Sequence, residues 1–137
     1  MAMDKLNVTI TTPDKFFPPF KADSVSLVTA MGHIEILTHH ADYLGNVEIS
    51  EMTITNDGKV ERFAVGGGAL HVTERTNTVH LIVSSIETAE EIDAKRANEE
   101  KTKAETLLKA PLSENDHVKA EISLKKALNR LSVKDSL

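Results

Sequence analysis

The sequence predicts a β + α protein: an N-terminal β-sandwich of short antiparallel strands over residues 1–87, then a C-terminal antiparallel two-helix hairpin over residues 88–137. Three observations carry this. All six glycines and every aromatic ring lie before residue 69, whereas the stretch from Thr88 to Leu137 has neither and holds a single proline. The first part is a series of short alternating runs separated by turn residues, which suits a sandwich or barrel better than alternating β and α units. The second part is rich in strong helix formers and carries two N-terminal capping signatures.

The elements follow in order. Leu6-Asn7-Val8-Thr9-Ile10 alternates and runs into Thr12-Pro13-Asp14, a turn in which Pro13 presets φ and Asp14 can bond its own backbone. Val25–Thr29 is a second strand, and Ile34–Leu37 is a third after the Met31-Gly32 turn. Met52–Thr55 and Val60–Val65 flank Asn56-Asp57-Gly58, whose Asp-Gly pair tolerates the positive φ of a tight hairpin. Ala69–Thr73 and Thr78–Val83 flank the polar turn Glu74-Arg75-Thr76-Asn77 and complete the series, with five rings to serve one small core.

Thr88-Ala89-Glu90-Glu91 then has the spacing of a capping box and predicts a helix from there to about Leu108. After Pro111, any of Ser113, Asn115 or Asp116 can cap a second helix from about His117 to Val133, and a short connection makes the two antiparallel. Ala120, Leu124, Ala127, Leu128 and Leu131 share one face of the second helix. The first offers Ala89, Ile92, Asp93, Ala97, Ala104, Leu107 and Leu108, mostly alanine with polar interruptions. Small residues allow close helix contact but bury little apolar area, so the hairpin is expected to depend on the β domain, a ligand or a partner.

Composition bounds the function. The chain has 137 residues, 40% hydrophobic and 27% charged, as a globular protein has. A net charge of -5 argues against nonspecific nucleic-acid binding, which needs a surplus of Lys and Arg over the phosphates. There is no cysteine, which excludes disulfides, thiol chemistry and cysteine-ligated zinc. No apolar run approaches the ~18 residues of a membrane span, and Met1–Lys5 lacks the features of a secretory signal. Any membrane association is expected to go through a partner.

The order of domains, with Gly67-Gly68-Ala69-Leu70-His71-Val72, Ile92-Asp93-Ala94-Lys95-Arg96-Ala97 and Ala127-Leu128-Asn129-Arg130-Leu131-Ser132-Val133, resembles the epsilon subunit of bacterial F-type ATP synthases over essentially the whole chain. The resemblance implies a noncatalytic rotor subunit of the central stalk at the cytoplasmic face of the cell membrane. In that family the sandwich binds the gamma subunit and rests on the c-ring, helping couple ion translocation to ATP synthesis. The hairpin folded against the sandwich permits ATP hydrolysis; extended along gamma into the alpha and beta subunits, it inhibits. A weakly self-sufficient hairpin suits such a switch, because a partner shifts only states separated by a few kcal/mol.

Some family members bind ATP on the folded hairpin as a regulatory ligand, and no other cofactor is implied. The matching positions here are Glu87, Ile92, Asp93, Arg96, Ala97 and Arg130, with Lys126 where strong binders have arginine. Arg96 and Arg130 would clamp phosphates; Lys126 keeps the charge without the planar fork, which would weaken binding. The plain reading of Asp93 and Arg96 is an i,i+3 helix pair. Lys119, Lys126, Arg130 and Lys134 form a stripe along the second helix that the resemblance assigns to acidic segments of the beta subunits. Its plain reading is a solvated face with cations near the helix C-terminus.

The loop Gly32-His33-Ile34-Glu35-Ile36-Leu37-Thr38-His39-His40-Ala41-Asp42 resembles the family's c-ring-facing Gly-Glu-x-Gly-Ile-x-Pro-x-His-Ala-Pro, matching at Gly32, Ile36, His40 and Ala41. His33, Glu35, Thr38 and Asp42 depart from it, and the loss of two prolines is expected to loosen the loop. Only His40 is carried over as a c-ring contact. His33, Glu35, His39 and His40 are capable metal ligands, but adjacent histidines on a strand or turn point apart and no second cluster completes a site, so no metal is expected. Gly66-Gly67-Gly68 lacks the Lys-Ser or Lys-Thr of a phosphate loop and reads as a bulge where backbones approach closely. An enzyme built on Glu35, His40 and Asp42 has no nucleophile motif behind it. A β-sandwich adaptor with a helical docking tail, unrelated to the synthase, is the stronger alternative.

Overall fold

The structure is a computed structural model that describes residues 4–135; the opening residues 1–3, part of the stretch read for a leader, lie outside it. The chain forms two compact units, Met1–Ile86 and Glu87–Leu137.

The strands are β1 (Leu6–Thr11), β2 (Phe20–Ala22), β3 (Ser24–Thr29), β4 (Gly32–Leu37), β5 (Tyr43–Val47), β6 (Ser50–Asn56), β7 (Lys59–Val65), β8 (Gly68–Thr73), β9 (Thr78–Val83) and β10 (Ile86–Thr88). Their order is β10-β7-β6-β3-β5-β8-β9-β1-β2, with β4 on β3, which makes the predicted β-sandwich. Most pairs are antiparallel. β1, by contrast, lies parallel to β9 with Val8 opposite Val79 and Ile10 opposite Leu81. That pairing joins the two ends of the domain, and no local pattern announces it.

Period-two alternation decides which residues face inward. β1 buries Leu6, Val8 and Ile10, β8 buries Leu70 and Val72, and β9 buries Val79, Leu81 and Val83. The core is therefore aliphatic, contrary to the expectation that the rings would fill it. Phe63 alone among them is buried; Phe17, Phe20 and Tyr43 pack against the core from its margin, and Phe16 is exposed.

The turns follow their residues. Asp57 and Gly58 both have positive φ, 52° and 77°, as the tight β6–β7 hairpin requires. At the Pro13 turn, Thr12 does the bonding assigned above to Asp14: Lys15 N donates to Thr12 Oγ1 at 3.0 Å. Gly68 sits so close to β9 that an added Cβ would collide with the Ile82 carbonyl oxygen, the close approach read from the glycine run. The loop after β4 is tied down despite its missing prolines. His39 N donates to Asn77 Oδ1 at 2.7 Å, and Glu74 N to Asp42 Oδ1 at 2.8 Å. Side-chain acceptors thus do locally what proline would do through φ.

The second unit holds α1 (Ala94–Leu108) and α2 (Glu114–Asp135), which pack against each other. Thr88 and Glu91 do exchange capping-box bonds, at 3.0 and 3.2 Å. They close a turn rather than open the helix. Asp93, extended at φ -88° and ψ 103°, is the true N-cap, its Oδ1 accepting from Arg96 N at 3.1 Å. α2 begins three residues earlier than predicted because Ser113 caps it, Oγ accepting from Asp116 N at 3.2 Å. Glu114 and Asp116 then stand in the positive first turn and Lys134 in the negative last one.

The helices bury Ala97, Ala104, Ala120, Ala127 and Val133. Leu107 and Leu128, placed on the seams by the sequence pattern, are 42% and 45% exposed. Alanine brings the helix axes close, which leaves longer side chains at the edges of the contact.

Candidate functional site

Four charged residues of the second unit converge. Arg130, in the C-terminal half of α2, donates from Nε to Glu87 Oε1 at 2.5 Å and from Nη1 to Glu100 Oε2 at 3.3 Å. Arg96, in the first turn of α1, donates from Nε to the other Glu100 oxygen at 3.2 Å. The order Glu87, Arg130, Glu100, Arg96 is thus a continuous chain of alternating charge that links the segment before α1, α2 and α1 itself. Arg130 and Glu87 are about three-quarters buried, at 26% and 25% side-chain exposure, so their pair is shielded from solvent; Arg96 is 77% exposed.

Helical spacing explains the arrangement. Arg96 and Glu100 are four apart and share a face of α1. Asp93 and Arg96 do not form the expected side-chain pair in this structure: Asp93 Oδ1 caps the helix, and the Arg96 guanidinium pairs with Glu100 instead. Of the residues proposed for nucleotide, Glu87, Arg96 and Arg130 come together in this cluster, and Lys126 stands one turn before Arg130, half-buried and without an ion pair among the described residues. Ile92 and Ala97 are buried at 3% and 2% exposure and are packing positions in this conformation. Glu100 was not among the residues singled out from the sequence. Its spacing from Arg96 was the available signal; its contact with Arg130 needs the fold.

The basic stripe is divided. Lys119 is exposed, but Arg130 is held by the two glutamates and Lys134 donates to the Ala89 carbonyl oxygen at 3.0 Å. In this closed helix pair, then, two of its four cations are turned to internal partners.

In the first unit His40 places Nδ1 at 2.7 Å from the Ala41 carbonyl oxygen, and His39 places Nε2 at 3.1 Å from Asp4 Oδ2. Each ring has its own local partner. Among the described residues no group of three or more His, Cys, Asp or Glu is placed to hold a metal ion.

Both units match known domains. Residues 5–89 match the family described as ATP synthase, Delta/Epsilon chain, beta-sandwich domain, and residues 90–135 match its long alpha-helix domain. Together they define the delta/epsilon class of ATP synthase chain. The chain is 40% identical over 135 residues to the ATP synthase epsilon chain of Ruminococcus albus, covering 97% of each, and 36% identical over 133 residues to that of Bacillus licheniformis, covering 96% of this chain and 98% of the relative. It belongs to the family of bacterial ATP synthase epsilon subunits.

The fold is also that of a chain in the Euglena gracilis mitochondrial ATP synthase OSCP/F1/c-ring structure, with a TM-score of 0.80 at 20% identity over 91% of this chain and 78% of that one. A chain of the Tetrahymena thermophila mitochondrial ATP synthase central stalk/c-ring structure gives 0.71 at 16% identity over 98% and 99%. The alternative of an unrelated adaptor is set aside by the two family matches and the epsilon-chain relatives.

Proposed function

We propose that this epsilon subunit is a noncatalytic rotor component, held by its sandwich to the gamma subunit and the c-ring at the cytoplasmic face of the membrane, and that its helix pair regulates ATP hydrolysis. Opened along gamma, the helices inhibit by reaching the alpha and beta subunits; closed, they release that block. The observation that carries this is the make-up of the closed pair, an alanine seam fastened by ion pairs. Such a contact buries little apolar surface, and its charges can be handed to another partner. Contact with the membrane sector runs through protein partners, and among the described residues no helix is long and apolar enough to cross a membrane.

Lys119, Lys126, Arg130 and Lys134 face acidic segments of the beta subunits in the open state. His40 contacts the c-ring. Regulatory ATP binds the closed pair at Glu87, Asp93, Arg96, Lys126 and Arg130, with Ile92 and Ala97 shaping the site from beneath. Arg96 and Arg130 take the phosphates, and bound ATP stabilises the closed state by mass action. Lys126, a point charge in place of a fork, keeps affinity modest.

Two measurements test these roles. Adding the full chain to an epsilon-depleted ATPase head should lower its hydrolysis rate, the more so at low salt because the stripe is steered by charge; an unchanged rate rejects the regulatory role. ATP should raise the thermal midpoint of the isolated chain. No shift up to several millimolar rejects the ligand.

A further inference from the structure

The two arginines assigned to phosphate already share an anion. Glu100 gives one carboxylate oxygen to Arg96 at 3.2 Å and the other to Arg130 at 3.3 Å, spanning α1 and α2 with one side chain. A carboxylate set between two guanidinium groups offers them the same negative oxygens as a phosphate edge. We propose that Glu100 is a built-in counter-ion for this site, holding the helix pair closed without nucleotide and competing with a polyphosphate for Arg96 and Arg130; the competition rests on the nucleotide reading above.

The consequence is physical. A triphosphate must displace Glu100 or bind beside it against like-charge repulsion, and either route costs affinity. In exchange, closure depends less on ATP. Glu87 cannot replace Glu100, since it reaches Arg130 but makes no bond to Arg96 among the described residues. Glu100 therefore tunes how far the hairpin answers to nucleotide.

The test uses the full chain. Because the sequence has no cysteine, spin labels on Lys95→Cys and Ser132→Cys report the distance between the exposed far ends of α1 and α2. With Glu100→Gln, the nucleotide-free protein should gain a widely separated population, while ATP, measured by calorimetry, should bind roughly tenfold tighter once the competing charge is gone. Glu99→Gln, an exposed neighbour that removes the same charge, should change neither. The counter-ion role is overturned if Glu100→Gln stays as closed as the parent, if a bound ATP is not tightened by it, or if Glu99→Gln does the same. Absence of ATP binding in parent and variant alike overturns the nucleotide reading and the competition with it, whatever the labels report.

Discussion

Asp23 shows what one side chain contributes and when. Its Oδ2 accepts from Asp57 N at 2.8 Å, and its Oδ1 lies 3.2 Å from Lys5 Nζ, which also holds Asp57 at 2.8 Å. The backbone bond first, then the ammonium, hold the Asp23 carboxyl below its ordinary value. A lowered folded pKa adds stability that is complete above the unfolded value and is lost as pH falls through the folded one. Asp23→Asn should therefore lower the thermal midpoint at pH 7. Parent and variant should converge as the pH drops below about 4, a comparison that midpoints measured across pH will check. At this scale the sequence was partly readable. The Asp57-Gly58 turn follows from residue type alone, whereas Asp93 and Glu100 took roles set by which backbone or arginine lay within reach.

Among the elements, the seam between α1 and α2 is the most consequential. Ala127 is fully buried, and Ala120, Ala104 and Ala97 are nearly so. Ala127→Leu adds volume where the helices have no room and should destabilise the closed pair by about 1–3 kcal/mol. Thermal loss of helical circular dichroism at lower temperature, with the sandwich transition unmoved, is the expected result. The stripe of the second helix pointed to the correct face at Ala120 and Ala127 but brought Leu128 too far inward, because close approach through alanine narrows the buried strip. Both helix starts shifted for a related reason: several residues could cap, and only the chain path chooses among them. The strands missed from the sequence, β2, β5 and β10, have three, five and three residues. Runs so short show too little periodicity to read, and their pairing is supplied by neighbours distant in the chain.

For the whole molecule, the compositional split near Thr88 marks two units with different sources of stability. The first has an aliphatic core closed by strand pairing across its full length, including the parallel contact of β1 with β9. The second is held by alanine contacts and a chain of ion pairs. The regulatory role proposed above would draw on this asymmetry, with the first unit as a platform that stays folded and the second as an element that changes partners. The family resemblance was legible because it spreads over the order and spacing of many residues. The clasp around Arg130 was not, because it joins positions 43 and 30 residues apart.

On the proposed function, closure of the helix pair and inhibition of hydrolysis exclude one another. An engineered disulfide joining α1 to α2 in the full chain, assayed on an epsilon-depleted ATPase head, tests it most directly. Oxidised protein should bind the head without lowering its hydrolysis rate, and reduction should restore inhibition in the same sample. Full inhibition by the oxidised form would mean that the helices block hydrolysis without opening.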